Sequence, residues 1–249
     1  MTEFTVRIAG RVAAVAAMFA STRAYCADYL WEGDADFRIE ISMQDIDFER
    51  SRSMREDALE GKPPRSFSDT YLEAIALQRK LAERLLDCGT LLFHGSVVAV
   101  DGEGYLFTAK SGTGKSTHTA LWRQAFGEHA VMINDDKPFL HVGSRLVTAY
   151  GSPWNGKHRL GVNACAPLRA ICVLERGEQN RIEPIAAQDA LVMLLQQSNR
   201  PLDFSRMPAY MELLDGLSRK TSFYRLSCNM EPEAALVAYR AMSGKEEHT

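Results

Sequence analysis

Apolar and polar positions along this chain predict a succession of strands and helices. The run Tyr105-Leu-Phe-Thr-Ala109 reads as a strand, and Lys115 to Phe126 as the helix after it, closed by Gly127. Strands at 90–93 and 96–100 precede them, joined to them by the turn Asp101-Gly102-Glu103-Gly104. Downstream, Ala130 to Ile133 is short and wholly apolar, the mark of a buried strand. Residues 139–142 and 145–150 read as a hairpin through Gly143-Ser144, and 170–174 with 181–185 as a second hairpin. Helices near 187–198, 207–217 and 232–242 finish the chain. Upstream of all these, Ser68 caps a helix over 69–88 with apolar positions at Leu72, Ile75, Ala82, Leu85 and Leu86.

The amino-terminal pattern predicts a strand near Phe4 to Ile8, a helix over 12–30 and a strand near 37–42. Val12 to Ala20 has the length of a secretion signal, but it is alanine-rich. Its apolar spacing continues through Tyr25, Tyr29, Leu30 and Trp31, which suits an amphipathic helix on a sheet. The polar stretch 49–68, with Gly61, Pro63 and Pro64, reads as a linker. The expected organisation is α/β, with a small α+β unit at 1–66 and the main domain at 67–249.

Composition narrows the partners. Of 249 residues 46 % are hydrophobic and 24 % charged, and the formal net charge is −3. Such a balance gives no electrostatic case for nucleic acid or an anionic membrane. No run approaches the roughly 20 apolar residues of a membrane span. Five scattered cysteines without a C-x-x-C pair argue against a disulfide framework or zinc site and for the cytoplasm.

The strongest chemical signal is Ala109-Lys110-Ser111-Gly112-Thr113-Gly114-Lys115-Ser116, which fits G-x-x-x-x-G-K-[ST] except that Ala109 replaces the first glycine. In such a loop backbone N–H groups surround phosphate, the helix beginning there adds its positive dipole end, and Thr117 extends the cradle. Lys115 reaches the outer phosphates and the Ser116 hydroxyl can ligate Mg²⁺. Asn134-Asp135-Asp136 ends the next strand, where a phosphotransferase holds its metal and its base.

From His94-Gly95-Ser96-Val97-Val98, through the phosphate loop, to Asp135-Asp136, the chain resembles the catalytic half of HPr kinase/phosphorylase. That family shares its core with ATP-dependent phosphoenolpyruvate carboxykinase. Gly151-Ser-Pro-Trp-Asn-Gly-Lys157 resembles a loop recurring among HPr-kinase-like proteins. The resemblance covers about residues 90 to 160. It implies a mixed central β-sheet with flanking helices, ATP and Mg²⁺ as cofactors, and active-site roles for His94, Lys115, Ser116, Asp135 and Asp136. The glycine-rich signature near the HPr kinase oligomer contact and its amino-terminal domain are missing, as are the oxaloacetate-binding motifs of the carboxykinases. A divergent serine kinase is therefore expected, its substrate not restricted to HPr.

The implied chemistry is γ-phosphoryl transfer from ATP to an alcohol hydroxyl, a serine either free or in a peptide or carrier protein. Mg²⁺ would sit on Ser116 and one aspartate, Asp135, leaving Asp136 as base. The competing reading is a nucleotide-gated regulatory or scaffold protein with weak hydrolysis. Neither an Asn-Lys-x-Asp guanine motif nor a Leu-Ser-Gly-Gly signature is present. Lys157 and Arg159, flanking His158, form either a basic clamp for the transferring group or a solvated turn. Trp154 either stacks on a ligand or packs, and Lys137 pairs with the aspartates or with phosphate. Lys110 is expected to face solvent and His118 to be structural. Oligomeric state is left open, with a homo-oligomer compatible.

Overall fold

The computed structural model describes residues 1–110 and 112–244 and divides into two compact units, the first spanning Met1–Leu85 and the second beginning at Leu86. The first unit opens with a hairpin of β1 (Thr2–Ile8) and β2 (Arg11–Ala17), joined by Ala9 and Gly10 at positive φ. Two central residues at positive φ make the primed turn whose twist suits a two-residue hairpin. Val12–Ala17 is thus a strand where a helix was expected. Alanine favours helices, but the turn and seven paired residues override that weak preference.

A short helix α1 (Ala20–Tyr25) follows, then β3 (Phe37–Glu40), which lies parallel to β2. The expected linker is also corrected: α2 (Met43–Leu59) occupies much of it. It lacks an apolar stripe and is held instead by polar contacts. The Ser42 N–H donates to the Asp45 carboxylate at 2.9 Å, and Asp45 pairs with Lys80 at 2.7 Å. Glu49, buried, meets Arg79. Helix α3 (Asp69–Leu86) carries Arg79 and Lys80 and groups with this unit.

The second unit has the expected α/β architecture, a mixed sheet of nine strands with helices on its two faces. Its strands are β4 (Thr90–Leu92), β5 (Ser96–Val100), β6 (Glu103–Thr108), β7 (Ala130–Asn134), β8 (Phe139–Val142), β9 (Val147–Tyr150), β10 (Cys165–Arg176), β11 (Arg181–Ile185) and β12 (Ser222–Cys228). One path runs β4-β8-β9-β10-β6-β5-β7, and β12 with β11 joins on β10. Strand β10 therefore has three neighbours. It pairs antiparallel with β9 through Cys165–Pro167, then parallel with β6 and with β12. The second predicted hairpin does not form, because β12 lies between β10 and β11.

Period-two alternation supplies both cores. Val97, Ala99, Leu106, Leu168 and Ile171 face one way, against α5 (Ala187–Gln197) and α6 (Met207–Lys220). Val98, Val100, Tyr105, Phe107, Ala170 and Cys172 face the other, against α4 (Lys115–Phe126) and α7 (Glu233–Ser243). Among the described residues, no helix is long and apolar enough to cross a membrane.

Candidate functional site

Strand β5 is antiparallel to both β6 and β7, so β6 and β7 run the same way and end where β5 begins. That topology gathers three segments at one sheet edge: the glycine turn after β6, Asp135-Asp136 after β7, and His94 just before β5. The aspartates are one strand removed from the turn, with β5 between them.

In the turn, Gly112 and Gly114 take positive φ of 78° and 124°, which an L side chain seldom adopts. Helix α4 starts at the next residue, so its unpaired N–H groups open onto the turn. Ala109 is buried; Lys110 is exposed, the position expected of it. Ser116 and Thr117, in the first turn of α4, are exposed, and Thr113 is half-buried. Ser111 lies outside the described residues. The Lys115 ammonium reaches back to the Ala109 carbonyl at 3.3 Å. Burial lowers its pKa, the Asp136 charge opposes that, and Lys137 adds to the lowering.

The aspartate pair is held by a closed polar frame. The Asn134 side-chain oxygen accepts from the N–H of Asp136 at 2.9 Å and of Lys137 at 2.6 Å. Its amide donates to the Ser152 carbonyl and hydroxyl at 3.2 and 3.1 Å, and that hydroxyl donates to the Lys137 carbonyl at 2.6 Å. Ser96 donates to the Asp135 carbonyl at 2.9 Å, and the Gly95 N–H to the Asp136 carbonyl at 3.0 Å. Asp135 is buried, its carboxylate accepting from the Gly156 N–H.

Asp136 is half-buried and its Oδ1 lies 3.4 Å from His94 Nε2. Burial raises the Asp136 pKa; Lys137 counters it, Asp135 adds to it, and Lys115 counters again. Burial, then Lys137 and Lys115, push His94 down to about 4. The imidazole is thus neutral at pH 7, and its approach to Asp136 is polar rather than ionic. Lys115 and Lys137 thus act on both His94 and Asp136, and Asp135 acts on Asp136 as well.

Other expected residues take different places. Lys157 and Arg159 are exposed on the turn after Gly156, which the Asp135 contact ties to the aspartate loop. Trp154 is buried against Phe139, so it packs. His118 is buried, accepting from the Trp122 indole at 3.0 Å. The frame residues Asn134, Ser96 and Ser152 were not singled out from sequence. An asparagine directly before paired aspartates, and a serine in Gly151-Ser152-Pro153, were the available signals.

Among the described residues, no group of three or more His, Cys, Asp or Glu side chains could hold a metal. Mg²⁺ at phosphotransfer sites needs only one or two protein oxygens, with phosphates and water completing its shell. The Ser116 hydroxyl and an Asp135 carboxylate oxygen are donors of that hard, oxygen-only kind.

A family model described as SynChlorMet cassette protein ScmC matches residues 68–232. No curated protein shows significant sequence similarity to the chain. Among solved structures, the HPr(Ser) kinase/phosphatase from Coxiella burnetii is distantly similar, with a TM-score of 0.35 and 12 % identity over 61 % of this chain and 95 % of that one.

Proposed function

We propose that this chain, which belongs to the ScmC family of SynChlorMet cassette proteins, is an ATP- and Mg²⁺-dependent phosphotransferase acting on an alcohol hydroxyl. The acceptor is a serine, free or within a peptide or protein, and the reaction belongs in the cytoplasm with its ATP. One observation carries the reading: the glycine turn with Lys115 and the Asp136–His94 pair meet at one sheet edge. A loop that binds phosphate without transferring it has no need of a half-buried carboxylate with a raised pKa beside its lysine.

The turn and the amino terminus of α4 hold the triphosphate, with Lys115 on its outer phosphates. Ser116 and Asp135 would hold Mg²⁺, which supplies neutralisation of phosphate charge. Asp136 accepts the proton of the acceptor hydroxyl as that oxygen forms its bond to the γ-phosphorus and the bond to the β-bridging oxygen breaks. ADP leaves, and the proton passes from Asp136 to solvent. Burial makes Asp136 a better base than a solvated carboxylate, and the charges of Lys137 and Lys115 oppose that rise. Neutral His94 orients it. Lys157 and Arg159 supply positive charge on the turn tied to Asp135.

Incubation with γ-labelled ATP, Mg²⁺ and a panel of serine, small alcohols and serine peptides tests the reading. Label in an acceptor is expected. ADP release with no labelled acceptor in any arm would instead favour a nucleotide-gated regulatory protein.

A further inference from the structure

The glycine turn has two flanks, and the site described above uses one. On the other, beside β10 and β12 rather than β5 and β7, lies a cavity of about 470 Å³. Its floor is the backbone of Gly112 to Gly114, and the ends of β10 and β12 form its far wall. Leu121, Leu174 and Met230 give it apolar surface. We infer that this cavity receives the base and ribose of the bound nucleotide, a purine nucleoside, while the terminal phosphate points at Asp136. The inference rests on the nucleotide reading of the turn and adds a direction to it.

Direction follows from connectivity. The phosphate chain is held at the turn and its reacting end must face Asp136, so the nucleoside must leave by the opposite flank. A cavity opens on that flank with a volume in the range, about 300–1,000 Å³, that small ligands occupy. Its wall is fastened to the turn: the Arg176 guanidinium donates to the Gly112 carbonyl at 2.7 Å and to the Thr113 carbonyl at 3.4 Å. Phosphate grip and base recognition would therefore move as one body.

A second observation points to a ligand. His118 lines the cavity and is 3 % exposed. Its Nε2 accepts from the Trp122 indole N–H, which can only donate, so the proton of the neutral ring sits on Nδ1. That Nδ1 is buried and has no hydrogen-bond partner among the described residues. A buried donor left unpaired costs stability, and a purine ring nitrogen is an acceptor of the kind it lacks.

Cys228, half-buried in the cavity wall, is a built-in reporter, and exposed Cys165 at the start of β10 is the control. Alkylation of both by N-ethylmaleimide at pH 8, read by peptide mass spectrometry, is compared with no ligand, with Mg²⁺ and ADP, and with Mg²⁺ and tripolyphosphate. Calorimetry on the same samples reports binding. Saturating ADP is expected to slow Cys228 alkylation ~10-fold or more, as burying a ligand against the thiol requires, with Cys165 unchanged and no protection by tripolyphosphate. ADP that binds without protecting Cys228, or tripolyphosphate that protects it equally, overturns the base cavity and leaves the nucleotide reading standing. Binding of neither ligand overturns that reading and the inference with it.

Discussion

At the scale of single residues, the proposed roles separate by what each substitution spares. Lys115→Ala should lower kcat by ~100-fold or more, because the loop lysine places a fixed positive charge on the transferring phosphate. Asp136→Asn should leave ADP affinity within ~3-fold, by calorimetry, while removing ~100-fold or more of phosphoryl transfer, the usual worth of a positioned base. Wild-type transfer in that variant would take the base away from Asp136. His118 makes a prediction about stability instead. Burial pushes its pKa from 6.5 to about 4, so the folded chain refuses a proton that the unfolded chain binds. Stability is therefore intact above pH 6.5, declines as pH falls below it, and is down by about 3 kcal/mol near pH 4. Denaturant titrations of His118→Gln, which still accepts from Trp122 but does not titrate, should show a shallower decline across that window. An unchanged slope would remove His118 as its source. The ionisable residues at the site were legible in the sequence because lysine, aspartate and histidine sit in a recognisable order. Asn134, Ser96 and Ser152 were not, since a buried amide or hydroxyl acts through partners distant in sequence.

At the scale of elements, the loop carrying Gly156 approaches the aspartates so closely that a Cβ there would lie 2.9 Å from Asp135 Oδ2. Gly156→Ala should therefore displace the Asp135 carboxylate and lower kcat by roughly 10-fold or more, as small misplacements at reacting groups do. Titration of Mg²⁺ should show a higher requirement in this variant; unchanged kcat and Mg²⁺ dependence would remove Asp135 from the site. Elements with a strong local period, such as β5, β6 and α4, read correctly from their residues. Those governed by pairing did not. Alanine-rich β2 is a strand because β1 lies across a primed turn, and α2 is a helix although its buried positions include Glu49 and Asp57. β12 was missed because its placement between β10 and β11 depends on a chain reversal through α5 and α6.

At the scale of the whole molecule, a ligand that binds only the folded chain must stabilise it. ADP with Mg²⁺ at 100 times its Kd should add about 2.7 kcal/mol and raise Tm by roughly 5–10 °C, and Lys115→Ala should lose most of that shift. A Tm indifferent to ADP would deny binding altogether. The three-neighbour strand β10 has a consequence for how the molecule is made. Its partners come from residues near 105, near 149 and near 225, so its hydrogen bonds are completed only when the last strand exists. During synthesis the glycine turn and both aspartates leave the ribosome about ninety residues before that strand does. The nascent chain would thus carry the proposed catalytic residues for several seconds before β10 is fully paired, at roughly 5–20 residues per second. Activity should switch on late and all at once, with the arrival of β12.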